Sequence, residues 1–106
     1  MGRDIVFTNK YYRVYRCYTK NKKIYYTVHN RNKVFQDGHA HVSNMGLAKL
    51  VVYTCTKGEI PHGKERLYSD LRFVETLCRV CTNSNKNKFT NRYNELLMMS
   101  ETQKEG

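Results

Sequence analysis

Two Tyr- and Val-rich segments, Tyr11–Tyr18 (YYRVYRCY) and Lys23–His29 (KIYYTVH), lie only four residues apart. That spacing constrains the chain more than any other feature. β-Branched and aromatic residues suit a pleated surface, and a four-residue polar connection leaves two such strands little choice but to pair antiparallel. The connection is Thr19-Lys20-Asn21-Lys22, in which Asn21 is expected to take the left-handed conformation. A second polar turn, Asn30-Arg31-Asn32-Lys33, leads to a third short strand expected at Val34–Gln36 and closed by Asp37-Gly38. The economical reading is a three-stranded antiparallel meander over about residues 11–36.

Helical signals follow. Ser43 is the expected N-cap of a helix carrying Met45, Leu47, Ala48, Leu50–Val52 and Cys55 on its apolar face, with Gly58 as its stop. Val51, Val52 and Thr54 are weak helix formers, so a strand from Leu50 is the alternative. Glu59–Lys64, with the only proline, Pro61, reads as a loop. Ser69 or Asp70 caps a second helix in which Leu71, Val74, Leu77, Cys78 and Cys81 keep helical spacing. Thr82–Lys88 reads as a polar loop, and Thr90 as the cap of a last helix over Asn91–Met99, with a fraying tail at residues 100–106. The fold expected is α+β: the meander, then two to three helices packed on one face, in a single domain of 106 residues.

Charge supplies the functional expectation. The chain carries 19 Lys and Arg against 9 Asp and Glu, a net charge of +10. Nine of the basic residues stand in residues 1–35, where Asp4 is the only acid. An excess of this size repels itself in the folded state and suits an acidic partner. Period-two alternation along the hairpin turns Ile24, Tyr26, Val28, Val14, Tyr12 and Tyr18 toward the core. It leaves Tyr11, Arg13, Tyr15, Lys23, Tyr25 and His29 outside, with Lys20 and Lys22 in the turn. Arg13, Arg16, Lys20, Lys22, Lys23, Arg31 and Lys33 are the candidate phosphate contacts, and Tyr11, Tyr15 and Tyr25 the candidate stacking rings. Alternation turns Arg16 inward, so an edge or bulge would have to free it. The competing reading is a solvated outer sheet face that binds nothing. The expected partner is nucleic acid, DNA or RNA; an inhibitor docking on an acidic host protein is the alternative from another class.

No apolar run exceeds four residues, the length of Leu50–Tyr53, and Ile5-Val6-Phe7 is too short for a secretion signal. The chain is therefore expected in the cytoplasm, with no membrane partner and with free thiols at Cys17, Cys55, Cys78 and Cys81. Abundant Asn, Lys and Tyr, all with A/T-rich codons, suggest an AT-rich genome such as that of a bacteriophage or another mobile element. His39 and His41, with Cys78 and Cys81, could in principle make a Cys2His2 zinc site. The more economical reading makes the two cysteines small hydrophobes on the buried stripe of the second helix, and no cofactor is expected.

Two resemblances extend this reading. A three-strand meander followed by a helix, over roughly residues 10–57, is similar in architecture to the small DNA-binding domains of the integrase arm-binding and AP2 kinds. Glu59-Ile60-Pro61-His62-Gly63-Lys64 with the later TLCRVCTNSNKNK, from Thr76, resembles the second half of an HNH endonuclease. Gly58-Glu59 stands where that family has Asp-His, and Thr82 where its final His falls. The resemblance therefore implies a nuclease or its inactive derivative, with His39, His41 or His62 as the remaining imidazoles.

Overall fold

A computed structural model describes residues 3–32 and 38–105. Four strands, β1 (Arg3–Thr8), β2 (Tyr12–Tyr18), β3 (Ile24–Asn30) and β4 (His39–Val42), form one antiparallel sheet in sequential order. Three helices follow: α1 (Met45–Lys57), α2 (Leu71–Val80) and α3 (Asn83–Glu105), with a short 3-10 turn at Glu65–Ser69 before α2. The architecture is α+β. The central hairpin β2–β3 is the one expected, but the sheet has four described strands rather than three. The expected strand at Val34–Gln36 lies outside the described residues, and β4 is formed by the His-Ala-His-Val segment.

β1 exists because Asn9 builds its turn. The Asn9 Oδ1 accepts from the backbone N–H of Tyr11 at 2.9 Å and of Tyr12 at 2.7 Å, reversing the chain into β2. Val6 is the extra residue of a bulge between Ile5 and Phe7, and it packs against the core. In the β2–β3 turn Lys22, not Asn21, takes the left-handed conformation, at φ 63°. The turn is held instead by Thr19, whose Oγ1 accepts from the Lys23 N–H at 3.0 Å.

The core lies between one sheet face and the helices. Tyr12, Val14, Val28 and Ala40 meet Ala48, Val51, Val52 and Cys55 of α1, Phe73, Leu77 and Val80 of α2, and Phe89 of α3. Burial of Val51 and Val52 outweighs their weak helical propensity, so the alternative strand from Leu50 is not what forms. Asn44 rather than Ser43 caps α1, accepting from the Leu47 N–H at 2.8 Å. Asp70 caps α2, accepting from the Arg72 and Phe73 N–H groups. Gly58 ends α1 in the left-handed conformation, as expected.

Three further expectations are corrected. Thr82–Lys88 is not a loop beyond Thr82: α3 starts at Asn83, so Thr90 is inside the helix and caps nothing, and the helix continues to Glu105. The reason is tertiary. Asn85 donates from Nδ2 to the Cys55 carbonyl at 2.7 Å and Lys88 donates to the Gly58 carbonyl at 2.5 Å, while Phe89 is fully buried. Polar residues with modest propensity are thus held helical by closing the end of α1. Second, Cys55 and Cys81 are not free thiols but a disulfide, with Cα atoms 4.9 Å apart. Cys17 and Cys78 remain reduced. Third, Ile24 is not a core residue; it is 51% exposed at the sheet end, beyond the reach of the helices. No helix among the described residues is long and apolar enough to cross a membrane.

Candidate nucleic-acid interface

The core residues of the helices all meet one side of the sheet, and among the described residues no helix packs on the other side. Strand register determines what that open side carries. Reading across the strands, Arg3, Cys17 and Tyr25 form one row. Ile5, Tyr15, Thr27 and His41 form the next, and Thr8, Arg13, His29 and His39 the third. None of these side chains is acidic. Asp4 sits on the helix side, where it pairs with Arg16 at 3.7 Å and accepts from the Tyr18 hydroxyl at 3.4 Å. The one acid of the first 35 residues is thereby removed from the open face.

The rings on this face form a connected cluster. Tyr15 meets His29 edge-on with centroids 5.0 Å apart, and His29 stacks on His39 at 5.5 Å. His39 and His41 lie 5.4 Å apart and inclined by 47°, and His41 stacks against Tyr25 at 5.2 Å. The Arg3 guanidinium lies over the Tyr15 ring, 4.3 Å from its centroid, which holds a cation at the face. Cys17 and Thr27 sit beneath these rings, and both they and His29 are buried although they point away from the helices. His29 Nε2 is 3.1 Å from the Thr27 Oγ1, which in turn is 3.9 Å from the Cys17 Sγ.

Electrostatics follow from crowding. Burial pushes the His29 pKa down to about 4, reinforced by positive charge on His39, Arg3, His41 and Arg13. Burial also lowers that of His41, followed by the charges of His39 and Arg79. At neutral pH His29 is an uncharged ring, and the permanent charge of the face resides in Arg3 and Arg13.

The expected contact residues are dispersed rather than gathered. Arg13, Tyr15 and Tyr25 lie on the open face. Lys20, Lys22 and Lys23 are exposed at the β2–β3 turn, at one end of the sheet. At the other end Tyr11 is exposed beside Lys10, and Arg31 donates to the Asn9 carbonyl at 2.6 Å. Arg16 is on the helix side, as alternation required, and Lys33 lies outside the described residues. Sequence reading missed Arg3, His39 and His41 as members of this face, because β1 and β4 were not recognised as strands. Alternation in Arg3-Asp4-Ile5 and His39-Ala40-His41 was the available signal.

The four residues of the possible zinc set do not come together. The Cys81 sulfur is bonded to Cys55, and Cys78 is half-buried on α2 with its thiol pKa raised by burial. Among the described residues no three His, Cys, Asp or Glu side chains are arranged to hold a metal ion. His62 is fully exposed in the loop before α2, 3.5 Å from Glu65. Comparison with protein-family models, with curated proteins and with solved structures gives no match to this chain.

Proposed function

We propose that this protein binds single-stranded nucleic acid across the open face of its sheet. The observation that carries this reading is the face itself: Arg3, Arg13, Tyr15, Tyr25, His39 and His41 share one surface on which the strand register places no carboxylate among the described residues. Rings stack on unpaired bases, each contributing about 1–3 kcal/mol, while guanidinium groups neutralise phosphates and release counterions. Lys20, Lys22 and Lys23 at one end, and Lys10 and Arg31 at the other, extend the positive potential along the strand direction. Seven strand residues span roughly 23 Å, so a strand of several nucleotides fits between the two ends.

Fluorescence polarisation with labelled single-stranded DNA, single-stranded RNA and duplex DNA tests the reading. Single strands are expected to bind more tightly than the duplex, because only they offer exposed base faces. Tyr25→Ala should weaken single-strand binding by about 1–3 kcal/mol with the salt slope unchanged. Absence of binding to any of the three at physiological salt would defeat the proposal and favour docking on an acidic protein.

A further inference from the structure

The open face ends at β4, the last described strand of the sheet, and beside it lies a groove of about 710 Å3 between that strand and α2. Tyr25, His39 and His41 line it from the sheet; Glu75, Thr76 and Arg79 line it from the helix. Three of the four histidines of the chain are in the adjoining ring cluster, and two of them turn into this groove. A face built only to stack bases has no need of paired imidazoles beside an arginine. We propose that this groove cleaves RNA without a metal ion, using His41 and His39 as the proton-transferring pair and Arg79 as the phosphate clamp. The inference rests on the nucleic-acid-binding reading and assigns it a substrate.

Positioning supports these roles. His41 is held against the Tyr25 ring on one side, and His39 against His29. The two imidazoles lie 5.4 Å apart and are inclined by 47° rather than stacked on one another, and both line the same groove. From α2, Arg79 donates to the Glu75 carboxylate at 3.4 Å, which orients the guanidinium, and its charge reaches His41. The groups facing His41 are therefore His39 and Tyr25 within the sheet and Arg79 and Glu75 across the groove, with Arg72 and Asp70 along the same wall. Burial and the neighbouring cations keep His41 unprotonated at neutral pH, the state a general base requires.

The reaction balances with no further reagent. The His41 imidazole takes the proton of a ribose 2′-hydroxyl, and the 2′-oxygen attacks the adjacent phosphorus. The bond from phosphorus to the 5′-oxygen of the next nucleotide breaks, and that oxygen takes a proton from the His39 imidazolium. Arg79 offsets the charge that develops on the phosphoryl oxygens. The products are a 2′,3′-cyclic phosphate and a 5′-hydroxyl, and solvent returns the proton from His41 to His39. DNA, lacking the 2′-hydroxyl, cannot react.

The experiment incubates the whole protein in EDTA with a labelled RNA oligonucleotide, the same sequence in DNA, and the DNA with one ribose inserted. RNA is expected to be cut, the all-DNA strand to stay intact, and the chimera to be cut only at its ribose, with a 2′,3′-cyclic phosphate found by mass spectrometry. His41→Ala and His39→Ala should each lower the cleavage rate of bound RNA, measured with protein saturating the strand, by about 100-fold or more, with melting temperature retained. Added imidazole should restore part of the rate, which a merely structural histidine would not allow. Intact RNA under conditions where the all-DNA strand is bound would overturn the cleavage inference and leave the binding reading standing. Failure to bind either strand would overturn both. Equal cleavage by wild-type and both alanine variants would assign the activity to a contaminant and likewise overturn the inference.

Discussion

Asn30 donates from Nδ2 to the Val80 carbonyl at 2.7 Å, tying the last residue of β3 to the last residue of α2 across 50 positions of sequence. The donor is 3% exposed, and its Oδ1 accepts from the Asn32 N–H at 2.9 Å, so one side chain both closes a helix end and starts a turn. Asn30→Ala strips a buried carbonyl of its partner. It should cost about 1–3 kcal/mol in chemical denaturation. Asn30→Asp should cost at least as much, since it replaces the donor with a second acceptor. A change below about 0.5 kcal/mol in both variants would show that water replaces the bond.

Stability should fall on acidification through the titration of His29. Its pKa is about 4 in the fold, against 6.5 for a free side chain, so between these values the unfolded chain holds the proton and the native state does not. The contribution is fully present above pH 6.5 and is lost as pH falls toward 4. Its size is on the order of 2 kcal/mol. Urea midpoints measured from pH 7.5 to 4 should show this slope in the wild type and a flatter one in His29→Gln. Identical slopes would place the acid sensitivity elsewhere.

The Cys55–Cys81 disulfide closes a loop of 26 residues between α1 and the end of α2. Chain entropy alone gives such a cross-link about 3–4 kcal/mol. Unfolded without reductant, oxidised protein should titrate two thiols, Cys17 and Cys78. Added reductant should expose four and lower the melting temperature. Four thiols in never-reduced protein would refute the pairing.

Gly58 should resist substitution. Its φ of +76° is one that side chains rarely adopt, and a Cβ there would stand 2.7 Å from the Asn85 Oδ1, which is fixed by its bond to α1. Gly58→Ala is expected to cost roughly 1–2 kcal/mol from the backbone alone. Asn85→Ala in the same chain relieves only the clash, so the double variant should remain less stable than Asn85→Ala. Equal stability would mean that the left-handed backbone carries no cost here.

The salt dependence of binding should separate the face from the turn. If Arg3 and Arg13 contact phosphates, Arg3→Gln with Arg13→Gln should reduce the single-strand salt slope by roughly 1.4 units. Lys20→Gln, Lys22→Gln and Lys23→Gln should reduce it by at most about 2 units, with a stability change below about 1 kcal/mol, since all three side chains are exposed. An unchanged slope in both variants would rule out the open face and the hairpin turn together.

Much of this protein was determined locally. The alternation of Tyr11–Tyr18 and Lys23–His29, with only four residues between them, sufficed for the β2–β3 hairpin and for the inward turn of Arg16. The pair Ser69-Asp70 and Gly58 announced the start of α2 and the end of α1, because capping is satisfied by the residue's own backbone neighbourhood, and of the pair Asp70 is the cap. What lay out of reach depends on contacts between distant segments. Helicity from Asn83 rests on Asn85 and Lys88 reaching the end of α1, the disulfide on two helix ends meeting, and β4 on a partner strand that four residues cannot supply for themselves. The candidate site follows the same division. Its charge and tyrosines were legible from the front of the chain. The joining of Arg3, His29, His39 and His41 with Tyr15 and Tyr25 was decided only when register laid four strands side by side, since a strand's alternation says which residues share a face but not whose face lies beside it.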